Sequence, residues 1–270
     1  KKRSYDTLAA VYFGELLELV RLHSGITDIE HITVTLRRVT LDVKKTIENI
    51  FGILGIDAAR ITVLSYTESF AYYVLGEDDS LWKDGALLFD FDTDGFFARQ
   101  MSIAGTKKHP LIYVDEKNYS SEFFIKDLAS EMIRNDLDRK LTGIFEAIRF
   151  SGPCCSVYFT GTGFSELWFS QTLETISAHC RVFKGNNLYV KGACLSGALK
   201  VFKDGMDYPL VCKGRTKAEI CAVVRDGDTS KEIRLSRAAC NWYDADGECD
   251  FILDEDKSCE IIVTSLVSRE

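Results

Sequence analysis

Positive charge and long apolar runs are what this sequence has least of. Its 270 residues carry 33 Lys and Arg against 41 Asp and Glu, a net charge of −8, so no diffuse positive field gathers nucleic acid or anionic lipid. The longest apolar stretches are strand-sized, residues 85–89 among them, far short of the roughly 20 residues a bilayer crossing needs. No membrane span is expected. Histidine is equally thin: His23, His31, His109 and His179 stand apart without ligand spacing or a carboxylate partner, which leaves a histidine-centred metal site or catalytic triad unsupported. Cysteine is absent before Pro153, and the nine that follow are odd in number and form no Cys-x-x-Cys pair. A secreted disulfide framework is usually even and spread through a small chain, so the expectation is reduced thiols, used as small hydrophobes in a cytoplasmic protein. Residues 1–3 lead into an amphipathic segment with Asp6, Glu15 and Glu18, so no secretory leader is expected. No repeat of fixed period and no low-complexity run is visible.

A hydrophobic content of 46% is enough to bury a core, in one large domain or two smaller ones. Leu8, Val11, Tyr12, Leu16, Leu19 and Val20 recur at helical spacing, which predicts an amphipathic helix over 5–22. A β-branched run follows at 31–35, then helical apolar positions Val43, Ile47, Ile50 and Leu54, a strand at 61–64 and a helix carrying Glu68, Ala71 and Tyr72. Residues 86–91 and 96–103 read as strands joined by the turn Asp92-Thr93-Asp94-Gly95, where glycine accepts positive φ at little cost. Further expectations are a strand at 111–114, a long helix over 121–148, a strand at 157–159, a helix over 166–179, a short strand at 181–183 and a helix after Asn187. From about 203 onward short strands alternate with turns, at 219–224, 232–235, 249–253 and 260–266, with turns at 226–227 and 246–247. The alternation predicts an α/β fold, and the hairpin requires a mixed sheet. Two domains are expected: 1–202, and a β-rich module over 203–270.

The densest polar cluster is Asp90-Phe91-Asp92-Thr93-Asp94-Gly95. Carboxylates at alternate positions followed by glycine match the opening of a calcium loop, with Asp90, Asp92 and Asp94 as the metal candidates, but the twelfth position, where a bidentate Glu belongs, holds Met101. Asp90 and Asp92 at a strand end also resemble the carboxylate pair of the haloacid dehalogenase superfamily, which wants Thr or Val in place of Asp94 and a parallel sheet order. Arg37 and Arg38 at a helix start read as solvated surface, and Asn241-Trp242-Tyr243 as a core anchor between strands.

The order of segments over 32–199 resembles the actin-like ATPase superfamily, which spans sugar kinases, actin, the seventy-kilodalton heat-shock chaperones and bacterial FtsA. The resemblance rests on a strand and helix over 33–56 leading to Thr67-Glu68-Ser69-Phe70-Ala71, on 86–101 as the second phosphate hairpin, on 157–180 as the adenosine strand-turn-helix and on 186–199 as the closing helix. It implies a partial actin-like (ribonuclease H-like) fold. Asp90, Asp92, Thr93, Asp94 and Gly95 would then occupy the phosphate loop, and Gly161, Thr162, Gly163, Phe164 and Gly192 the adenosine site, with magnesium held indirectly through Asp90.

The departures from that pattern set the functional expectation. In the family the phosphate hairpin is rich in glycine and hydroxyls, so that backbone N–H groups approach the anion. Here Asp92 and Asp94 stand in that loop and repel a triphosphate. Thr160 replaces a glycine of the adenosine turn, and the family's first phosphate strand is expected upstream of Lys1. The reading is therefore a degenerate, chaperone-like module acting through a protein partner, with no required cofactor and with weak or no nucleotide binding. The alternatives are an ATPase that takes ATP and magnesium in a longer protein, and a calcium-binding regulator.

Overall fold

The structure is a computed structural model and describes residues 2–26, 28–106, 109–202, 208–226, 229–245, 247, 248, 250, 252 and 259–266. The chain divides into two compact units, Lys1–Gly76 with Asn187–Met206, and Glu77–Asn186 with Asp207–Glu270.

The first unit opens with α1 (Lys2–Ser24), followed by β1 (Ile32–Leu36), α2 (Leu41–Ile53), β2 (Ile61–Ser65) and α3 (Tyr66–Leu75), and is completed by α6 (Leu188–Val201). The β-branched runs of β1 and β2 pair in parallel, Ile32 opposite Ile61 through Leu36 opposite Ser65. Because alternate strand residues face opposite ways, Ile61 and Val63 pack with Ala10, Ile47, Ile50 and Phe51 of α1 and α2, while Thr62 and Thr33 meet α6 at Lys200 and Gly197. Thr40 caps α2 by accepting the Val43 N–H, the usual task of a threonine before an apolar helical run. Helices α3 and α6 approach so closely that a Cβ on Gly192 would stand 1.8 Å from the Ser69 carbonyl oxygen, which only a residue without a side chain permits.

The second unit holds a six-stranded mixed sheet in the order β7-β6-β3-β4-β5-β8, built from β3 (Ala86–Asp92), β4 (Gly95–Thr106), β5 (His109–Asn118), β6 (Ser156–Thr160), β7 (Arg181–Lys184) and β8 (Leu210–Cys212). Strands β3, β4 and β5 form an antiparallel meander, and β6, β7 and β8 join in parallel. Helices α4 (Glu131–Ser151) and α5 (Ser170–Ser177) cover one face through a core that includes Leu87, Phe89, Phe91, Phe96, Leu141, Phe145 and Phe159. A separate antiparallel sheet, β10-β9-β11, is made by β9 (Ala218–Asp226), β10 (Thr229–Ser236) and β11 (Glu260–Ser265). The fold is α/β, a mixed sheet flanked by helices with a small antiparallel sheet.

Three expected bounds shift for reasons of packing. The helix expected from 121 begins at Glu131, because Phe123 turns into the core against Phe96, with ring centroids 4.3 Å apart, and Ser130 is extended at φ −100°. The helix expected from 166 begins at Ser170, since consecutive Trp168 and Phe169 are both buried and Trp168 Nε1 donates to the Gly163 carbonyl at 2.7 Å. The strand expected at 111–114 extends over all of β5. Of the strand expected at 249–253, residues 249, 251 and 253 lie outside the described residues, as do the turn positions Gly227 and Asp246, and residues 250 and 252 are not in a strand.

Candidate functional site

The hairpin β3–β4 turns as expected, Asp92 pairing with Gly95 at φ 128°, in the region that favours glycine. The tip is braced by Ser120, whose Oγ accepts the Phe96 N–H at 3.1 Å and bonds Asn118 Oδ1 at 2.5 Å. Asp92 Oδ1 accepts from the Thr93 N–H at 2.8 Å and from Thr162 Oγ1 at 2.7 Å, tying the hairpin to the turn after β6. Thr93 and Asp94 are exposed.

Asp90 is 2% exposed and is engaged by the protein itself. Arg99, fully buried on the neighbouring strand, donates from Nη1 to Asp90 Oδ2 at 2.9 Å and from Nε to Glu116 Oε2 at 3.0 Å. Register explains the trio: Arg99 is the cross-strand partner of Glu116 and of Leu88, one diagonal step from Asp90. Lys213 Nζ stands 3.8 Å from Glu116 Oε1, so two carboxylates are balanced by two cations. A charge taken out of water is tolerable only when paired and hydrogen-bonded in this way.

The turn after β6 is shaped around one side chain. Gly161 has φ 97°, and a Cβ there would lie 2.2 Å from the Phe91 carbonyl oxygen; one on Gly163 would lie 2.3 Å from Phe91 Cδ1. Phe164, fully buried, stacks on Trp168 at 5.9 Å and meets the edge of Phe91 at 5.9 Å. The two glycines thus admit the backbone and ring of Phe91, and Phe164 serves the core. Gly192 belongs to the first unit, where it seats α6 on α3. The three carboxylates Asp90, Asp92 and Asp94 do not fit a divalent ion, because Asp90 is held by Arg99 and Asp92 by Thr162 and its own turn. Among the described residues no three His, Cys, Asp or Glu side chains gather into a metal-holding group.

In the first unit the acidic motif 67–71 is also structural. Glu68 is 4% exposed and closes a capping box on α3, its Oε2 accepting from the Ser65 N–H at 2.8 Å and from Ser65 Oγ at 2.9 Å, while the Glu68 N–H donates to Ser65 Oγ at 3.2 Å. Beside it Tyr66 stacks on Tyr189 at 4.1 Å and 13°, with the Arg37 guanidinium 5.3 Å from the Tyr66 ring centroid. Arg37 therefore has an aromatic partner, which sequence did not reveal. Sequence also missed Asp138, a buried carboxylate of α4 that accepts the Gln171 and Thr172 N–H groups at the start of α5, both at 2.9 Å. Its only trace in the sequence is a charge on the otherwise apolar stripe Leu137, Leu141 and Phe145.

Residues 1–214 match the family described as "Family of unknown function (DUF5716) C-terminal". The chain belongs to that family. In this DUF5716 C-terminal chain the remaining residues, 215–270, match the "Domain of unknown function (DUF8552)". A search of curated proteins finds no match. Among solved structures the DUF5716 C-terminal chain is similar to apo ParM of psk41, at 13% identity over 71% of each chain with a TM-score of 0.43. It is also similar to a ROK family transcriptional regulator, a homolog of the E. coli MLC protein, at 11% identity over 73% of this chain and 71% of the other, with a TM-score of 0.41. Among the described residues no helix is long and apolar enough to cross a membrane.

Proposed function

We propose that this chain is a degenerate module of the actin-like ATPase type that works in protein interaction and binds nucleotide weakly or not at all. The kinship is supported by the order of elements: a hairpin β3–β4, a helix, a parallel strand β6 ending in a glycine turn, then α5 and the closing helix α6. The loss of nucleotide binding is carried by the Asp90–Arg99 ion pair at 2.9 Å, which commits to the protein interior the carboxylate the family turns toward magnesium. Phe91 reinforces it by occupying the space that Gly161 and Gly163 open. Asp92 and Asp94 add negative charge at the tip, where an anion would have to approach.

A role in interaction is supported by α1, whose one side packs on α2 while Tyr5, Leu8, Tyr12, Leu19 and Leu22 stand 49–77% exposed. Contiguous apolar surface of this kind marks contact sites.

Titration calorimetry with Mg-ATP tests the reading. The unmodified chain is expected to give no binding heat up to millimolar nucleotide, and Asp92→Gly/Asp94→Gly is expected to gain affinity by relieving repulsion. Tight binding by the unmodified chain would overturn the proposal.

A further inference from the structure

Helix α1 is apolar on two sides. One side, with Ala10 and the partly buried Phe13 and Leu17, packs into the core of the first unit, where Phe13 meets Phe51 with ring centroids 5.1 Å apart. The other carries Tyr5, Leu8, Tyr12, Glu15, Leu19 and Leu22, all exposed. At 3.6 residues per turn these six lie nearly opposite Ala10 and Leu17. They follow one another at alternating steps of three and four residues, the seam spacing that keeps one row of side chains against a partner helix in a coiled coil. An amphipathic helix ordinarily turns such a row toward its core. Here a different set of residues does the packing, and the row is left outside.

We propose that this row is a self-association surface, on which the α1 helices of two copies of the chain pair antiparallel about a twofold axis, a pairing that rests on α1 being a contact surface. Tyr5 then lies against Leu22 of the second copy, Leu8 against Leu19, and Tyr12 against Glu15.

The row is complementary to its own reverse. Each tyrosine meets a side chain that is not aromatic, and every contact is returned by the second copy, as a twofold interface demands. Glu15 sets the direction. A parallel pair would place Glu15 against Glu15, like charges at close range, whereas the antiparallel pair places it against Tyr12, whose hydroxyl donates to a carboxylate. Glu18 and Arg21, the charges beside the row, already pair with each other at 2.6 Å.

The available area suits a second copy as well. Val11 and Leu16 flank the row on either side and are also exposed. With them the open surface is on the order of 700 Å², comparable with the about 800 Å² that each partner contributes to a specific interface. The largest apolar patch on an ordinary monomer is about 300–600 Å².

Sedimentation equilibrium of the unmodified chain, from low to high micromolar concentration, is expected to show a dimer. Leu8→Glu and Leu19→Lys, both at exposed positions, are each expected to raise its dissociation constant about tenfold or more while leaving the thermal midpoint of the dilute monomer unchanged. Combined in one chain, the two changes are expected to recover most of the dimer. Antiparallel helices set each introduced carboxylate against an introduced ammonium of the other copy, and parallel helices set like against like. Failure of the double variant to recover, or a dimer that both single changes leave intact, would overturn the pairing. An unmodified chain that stays monomeric throughout would overturn it too, and an environment-sensitive dye then shows how far the loss extends. Dye bound by the unmodified chain and released by Leu8→Glu keeps α1 as a contact surface for a different protein; no dye bound withdraws that role as well.

Discussion

Arg99 shows how much of a polar interior can depend on one guanidinium. Its removal leaves Asp90 and Glu116 facing each other with little to offset them, so Arg99→Met is expected to cost about 3–5 kcal/mol in a urea titration, the range for a buried charge pair broken from one side. Replacing all three members with apolar residues of similar volume is expected to recover most of that loss. His31 makes the opposite kind of prediction. Burial first, then Lys200 and Arg60, lower its pKa in the folded state. Its Nε2 lies 2.8 Å from Thr62 Oγ1, which also accepts from Lys200 Nζ at 2.7 Å, so the Thr62 hydroxyl proton points to a neutral imidazole. Below the ordinary value of about 6.5 the unfolded chain takes up a proton that the folded chain refuses. Stability contributed by His31 is present above that pH and is lost as pH falls toward the lowered folded value. Denaturant titrations at pH 7.5 and 5.5 are expected to differ more for the unmodified chain than for His31→Asn.

At the scale of elements, identical substitutions separate by what surrounds them. Gly143, exposed in the middle of α4 with nothing within 4 Å of the place a Cβ would take, is expected to gain about 0.5–1 kcal/mol on substitution by Ala. Gly192→Ala meets the Ser69 carbonyl and is expected to lose about 1–3 kcal/mol through forced separation of α3 and α6; thermal unfolding of the two variants checks both signs. The same distinction governs what sequence could convey. The hairpin was legible because Gly95 signals its turn directly and the flanking strands are strongly apolar. The start of α4 was not, because Phe123 looks compatible with a helix until the pocket formed with Phe96 draws it inward. Glycines 161 and 163 announced a close approach, but the sequence left unstated that the approaching group is Phe91. Arg99 was passed over because its carboxylate partners lie 9 and 17 residues away in the chain and meet it only once strand register is fixed.

For the whole molecule, β8 bears on where the chain can be divided. Leu210, Val211 and Cys212 are buried and pair with Ile112, Tyr113 and Val114 of β5, so a fragment ending at residue 214 retains the six-stranded sheet. One ending at 202 uncovers Ile112 and Val114 and removes Lys213 from Glu116. The 1–214 fragment is expected to keep a cooperative thermal transition close to that of the full chain, and the 1–202 fragment to melt earlier and expose dye-binding apolar surface. The first unit, in turn, is interrupted: 110 residues, Glu77–Asn186, separate α3 from the α6 that packs on it. During synthesis on the ribosome α3 therefore emerges long before its partner helix, while the strands that surround β3 can assemble in the interval. Phe70, Ala71 and Val74, all sealed in the finished protein, stay open to nascent-chain chaperones until translation has passed residue 201.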